Sequence, residues 1–126
     1  MITKEALRQF ADNSAALRDE VEWLRFAKED GDTSEILVAT ISAVEDDIKK
    51  RQAFLDYEKS EIENLFAKCG NPIVRSALSL HFISGYQWKE IGLTVRKTED
   101  EIKHAAYRFI NGCLSDGADK RKRGSE

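Results

Sequence analysis

Proline is nearly missing from this 126-residue chain, with Pro72 the single instance. That scarcity argues against a β-sandwich, whose many tight turns draw on proline. Cysteine is scarce as well. Cys69 and Cys113 stand far apart, so there is no disulfide framework, and both are read as packing residues. Neither they nor the two histidines, His81 and His104, have metal-ligand spacing, and no metal or cofactor is expected. Long apolar runs are missing too. The longest, Ile36-Leu-Val-Ala39, falls far short of the roughly 20 residues that span a bilayer. The opening Met1-Ile-Thr-Lys-Glu-Ala-Leu7 is charged and lacks an apolar leader, so a cytoplasmic chain with reduced thiols and no membrane partner is expected. A glycine-rich phosphate loop, a nucleophile elbow and paired histidine ligands are all lacking, which argues against an enzyme. There is no global excess of positive charge either: 20 Lys and Arg stand against 23 Asp and Glu, a net charge of −3.

What the chain does have is 41% hydrophobic and 34% charged residues, a balance suited to long amphipathic helices. The charge is also divided unevenly. Residues 1–72 carry 10 basic against 16 acidic residues, and residues 73–126 carry 10 against 7. An acidic half joined to a basic half suggests that one part meets protein while the other meets a polyanion.

From Thr3 to about Lys28 neither glycine nor proline occurs, and Leu7, Phe10, Leu17, Val21 and Leu24 step by three and four, with Ser14 in the gap. Gly31 then supplies a turn. A longer helix is expected from about Ser34 to Lys68, with a seam of Ile41, Val44, Ile48, Leu55, Ile62 and Leu65 interrupted by Arg51 and Glu58. The simplest arrangement is a coiled-coil-like antiparallel hairpin over residues 1–70, serving dimerisation or protein contact. In Cys69-Gly-Asn-Pro72, Gly70 is expected in the left-handed conformation and Pro72 at the start of a new helix. Residues 73–84 follow as a helix with Val74, Leu78 and Phe82 on one side, ended by Gly85-Tyr-Gln87. A short helix is expected over Trp88 to Val95, a turn at Arg96-Lys97, and a last helix from Thr98 to about Leu114. Residues 115–126 form a basic polar tail containing Lys120-Arg-Lys-Arg123.

Two short helices joined by a tight turn define a helix-turn-helix, which here falls in residues 71–114. Its inward residues are expected to be Ile91, Val95, Ile102, Ala105, Ala106, Phe109 and Cys113. Lys103, His104, Tyr107, Arg108 and Asn111 would face outward, toward a major groove. Trp88-Lys-Glu-Ile-Gly92, then Thr98, then Ile102, preceded by Leu78-x-x-His81-Phe-Ile-Ser-Gly85-Tyr86, is similar to region four of bacterial sigma factors. The whole layout resembles small phage and prophage proteins of Gram-positive bacteria that act as sigma-like or late-gene transcriptional regulators. That resemblance implies an all-α DNA-binding regulator of transcription. Asp100 falls where the family has an acid able to accept from cytosine N4, and Lys103 and His104 fall where bases or phosphates are approached. Arg96, Lys97 and Arg108 would grip phosphates, with Tyr107 on the same face. The implied partners are double-stranded DNA, RNA polymerase or another host protein, and a second copy bound through the hairpin.

Glu99 and Glu101 depart from the family by replacing basic positions. Arg96 and Lys97 stand where a glycine and an apolar residue are common. The acids also suit a capping role, since Thr98 and Glu101 have capping-box spacing and negative charge favours a helix N-terminus. An alternative of another class is therefore a protein-binding adaptor or inhibitor that keeps the fold without binding DNA. A third is a small ring-forming packaging subunit. Trp88 and Tyr86 are read as core and turn packing, and His104 as either a surface residue or a DNA contact.

Overall fold

The computed structural model describes residues 2–31 and 34–114, and all regular structure among them is helical. The first helix, α1, spans Lys4–Glu29 and begins because Thr3 is extended and accepts a hydrogen bond from the Ala6 amide at 3.1 Å. The second, α2, spans Glu35–Phe66 and is capped in the same way by Ser34, which accepts from the Leu37 amide at 3.2 Å. Gly31, at φ +75°, breaks the chain between them in a conformation that costs glycine little.

The two helices pack against one another and run antiparallel, as two cross-links from α1 to α2 require. Lys28 donates to Glu45 at 2.6 Å near the turn, and Arg51 donates to Glu20 further along. The expected seam of α2 is buried only in its second half, at Leu55, Glu58, Ile62 and Leu65, while Ile41, Val44, Ile48 and Arg51 are half-buried. In α1 it shifts. Leu7, Phe10 and Leu17 are buried, but Val21 is 45% exposed, and Glu20 takes the inward place opposite Arg51.

The expected left-handed cap at Gly70 is not used. The described glycines with positive φ are Gly31 and Gly85. α2 instead ends by tightening, with the Lys68 amide donating to Leu65 O at 3.1 Å and the Cys69 amide to Phe66 O at 3.0 Å. Asn71 then caps α3 (Pro72–Leu78), accepting from the Ile73 amide at 2.9 Å, and Pro72 takes the first helical position, where its missing amide costs nothing. Arg75 ties the junction by donating to Cys69 O at 2.9 Å.

α3 continues directly into a π-helical turn, Ser79–Ile83, whose wider winding is visible in the Ser84 amide donating to Ser79 O at 3.1 Å. This turn is the hub of the molecule, packing on α1, α2 and α4. Its Phe82 is 3% exposed and lies 6.1 Å from the Phe66 ring of α2, 6.0 Å from Trp88 and 6.0 Å from Tyr107. One continuous core therefore runs from Leu7 and Leu55 to Ile91, Ile102 and Ile110. The two remaining helices are α4 (Trp88–Val95) and α5 (Glu99–Cys113). No described helix is long and apolar enough to cross a membrane.

Candidate nucleic-acid interface

The junction between α4 and α5 is tight for two local reasons. α4 ends at Arg96, which takes the left-handed conformation at φ 61°, and the Lys97 amide then donates to Gly92 O at 2.9 Å. A Cβ on Gly92 would lie 2.9 Å from Lys97 O and 3.3 Å from the Glu99 amide nitrogen, so only glycine lets the start of α5 lie against α4. Arg96 thus adopts a backbone conformation that costs a side-chain-bearing residue on the order of 1 kcal/mol.

α5 opens with a capping box. Thr98 Oγ1 accepts from the Glu101 amide at 3.1 Å, and the Glu101 carboxylate accepts from the Thr98 hydroxyl at 3.0 Å and from its amide at 3.4 Å. These bonds from Thr98, with a smaller contribution from the Lys97 charge, hold the Glu101 carboxyl below its ordinary range. All three opening acids are exposed at the first turn, and of them Glu101 is engaged with its own helix.

The helix is anchored by Ile102, Ala106 and Ile110, which are at most 2% exposed, with Leu114 following on the same four-residue step. This places the inward stripe differently from the expected one. Ala105 and Phe109 are only half-buried and Cys113 is exposed, because the stripe follows successive four-residue steps and turns Cys113 out of it. Ile110 and Leu114 were legible as apolar residues, but their spacing suits either stripe.

Of the residues singled out in the sequence, Arg96, Lys97, Asp100, Lys103, His104 and Arg108 are all exposed. Arg96 and Lys97 sit together at the turn. Asp100, His104 and Arg108 follow at four-residue intervals, which puts them on one side of α5. Tyr107, expected outward with them, is half-buried. Its ring lies 5.8 Å from Trp88 and 6.0 Å from Phe82, where it holds α5 on the hub. Asn111 is exposed as expected, beside Lys4 and Arg8 of α1. The basic run 120–123 lies outside the described residues.

His81, of the π-helical turn, is integrated into the hub. It stacks on Trp88 at 4.1 Å and meets Phe82 edge-on at 4.7 Å. Its Nδ1 lies 2.7 Å from Tyr86 O; a carbonyl can only accept, so Nδ1 carries the proton and donates. Burial first, and then the charge of Lys103, push the imidazole below its ordinary range, against the opposing effect of the Tyr86 carbonyl. Both effects favour the neutral ring, and Lys103 lies close enough to act on it while remaining exposed on the rim of α5.

The chain was compared with protein-family models, curated proteins and solved structures, and it matches none of them.

Proposed function

We propose that this protein is a sequence-directed DNA-binding regulator of transcription, phage-derived, in which α4, the Arg96-Lys97 turn and α5 form a helix-turn-helix resembling region four of sigma factors. The observation that carries this reading is the division of α5 into two sides. Ile102, Ala106 and Ile110 fix one side in the core, and Lys103, His104 and Arg108 are left exposed with two further cations at the turn. In this motif the exposed side of the second helix enters the major groove, while residues flanking it grip phosphates. Lys103, His104 and Asp100 are the base-facing group in this reading. Arg96, Lys97 and Arg108 are the phosphate-facing group, and Tyr107 positions the helix from within. The self-capping of Glu101 supports the reading, because it turns one of the three opening carboxylates back toward the protein. The antiparallel pair formed by α1 and α2 would then serve contact with RNA polymerase or another protein.

A second reading has its own support. Glu99 and Asp100 remain exposed at the tip of α5, where they would repel phosphates and suit a basic protein surface. An adaptor or inhibitor that contacts a host protein through this helix would present such a tip.

Fluorescence anisotropy with a labelled duplex library at low ionic strength separates the two readings. The regulator binds duplex, and Lys103→Glu and Arg108→Glu each weaken binding by at least about tenfold. Duplex binding that both charge reversals leave unchanged would rule the regulator reading out.

A further inference from the structure

The flank of α2 beside its α1-facing seam carries a second stripe at heptad spacing: Ile36, Thr40, Ala43, Asp47, Lys50, Phe54 and Tyr57, all exposed. Ile36 is 82%, Phe54 59% and Tyr57 60% exposed, a concentration of large apolar surface that a helix packed only on α1 would not need. Each position of this stripe precedes a position of the inner seam by one residue. The two faces therefore lie about 100° apart on the helix, as required of a helix that packs on two neighbours in a four-helix bundle. The need for a second neighbour is evident at the far end of the pair. Among the described residues between Leu17 and Leu55, none is buried.

The order of residues along the stripe identifies the neighbour. Laid antiparallel against a copy of itself so that Asp47 meets the copy's Lys50, the stripe also brings Ala43 opposite Phe54 and Thr40 opposite Tyr57. By symmetry every match occurs twice. At these three matches charge meets opposite charge and each small residue meets a large ring, while Ile36 falls opposite Glu61. Thr40 presents its methyl group at no polar cost, because its hydroxyl already donates to Ile36 O at 2.8 Å. Ala43 also forms part of a recess of about 630 Å³ lined by Trp23, Ala39, Thr40 and Val44, whose apolar side an incoming phenyl ring would fill, and bordered by Glu20 and by Asp47, which also accepts from Arg51 of its own helix at 3.3 Å. We infer that the outer stripe of α2 is a homodimer interface, in which two copies pack antiparallel through α2 and the Phe54 ring of each enters the recess beside Trp23 of the other. The inference uses no residue of α4 or α5, so it stands or falls independently of DNA binding.

Sedimentation equilibrium of the full chain is the test, with circular dichroism confirming that each variant stays helical. The wild type dimerises. Lys50→Asp or Asp47→Lys, each present twice across the two-fold axis, weakens the dimer by at least about tenfold, and the double exchange of the two charges restores it. In a Cys113→Ser background, which removes the exposed cysteine, Ala43→Cys and Phe54→Cys chains form a disulfide when mixed and not when either is alone. Four results overturn the inference: a monomer up to about 100 µM, a dimer indifferent to the charge reversals, failure of the mixture to cross-link, or linkage of either variant to itself, which signals parallel packing.

Discussion

Arg96 is where local geometry and charge pull in different directions. Its left-handed backbone favours glycine, and its side chain supplies a cation at the turn before α5. Arg96→Gly should therefore raise stability by about 1 kcal/mol, seen as a rise of roughly 4 °C in thermal midpoint, while weakening duplex binding. Gly92 is the opposite case. Its Cβ would meet backbone atoms, so Gly92→Ala should lower the midpoint in the same assay. A third residue, Glu58, sits in the seam of α2 at 8% exposure with Oε1 buried and unpartnered. Burial, aided by the neighbouring charge of Glu61, pushes its carboxyl above the ordinary range. The folded state then holds this proton more tightly than the unfolded chain does. Stability from this group thus rises as pH falls through the folded value, and the full gain is reached below the unfolded value. Glu58→Gln should accordingly melt above the wild type at pH 7 and converge with it near pH 4. Taking the difference between the two proteins removes the opposing contributions of Glu101, whose carboxyl is lowered, and of His81, whose burial disfavours charging.

Among the elements, the helices were legible in the sequence wherever a cap or breaker coincided with a change of apolar spacing. Thr3, Ser34, Asn71 and Thr98 each cap a helix, and Gly31 and Gly85 each take a positive φ between helices. The turn at Arg96 was legible by position but not by type, since nothing in an arginine side chain signals a left-handed backbone. The stripes were harder to read. Val21 and Glu20, or Cys113 and Leu114, differ by one residue, and the choice between them rests on what stands opposite. Glu20 turns inward because Arg51 can reach it across the seam. The π turn was not legible, because its Ser79-Leu-His-Phe-Ile83 continues the α3 pattern without a break. Of the candidate site, the exposed cations were placed as expected, whereas Tyr107 was drawn inward by Phe82 and Trp88, a cluster assembled from three separate segments. At this scale the capping box is open to direct test. Thr98→Ala should cost about 1 kcal/mol in chemical denaturation and fray the first turn of α5.

For the whole molecule, the central fact is that one aromatic hub joins the long antiparallel pair to the short helices. Phe82 touches rings from α2, α4 and α5, so Phe82→Ala should cost about 3–5 kcal/mol and loosen both halves together. The two tryptophans report on this separately, since Trp23 lies far along α1 and Trp88 lies in the hub. With Trp88→Phe as background, Trp23 fluorescence and helix content should lose signal in a single coincident transition; separate transitions would mean that the halves fold independently. A shared hub also fixes the attitude of α5 relative to the rest of the chain, which a groove-reading helix requires.

The most direct measurement of the proposed function is the salt dependence of duplex affinity. For the wild type, the logarithm of the association constant should fall linearly with the logarithm of salt concentration. Neutralising Lys103 or Arg108 should make that slope shallower by about one for each phosphate that the side chain would otherwise neutralise. Absence of duplex binding at low ionic strength, or a slope unchanged by both substitutions, would contradict the reading of α5 as a DNA-facing helix.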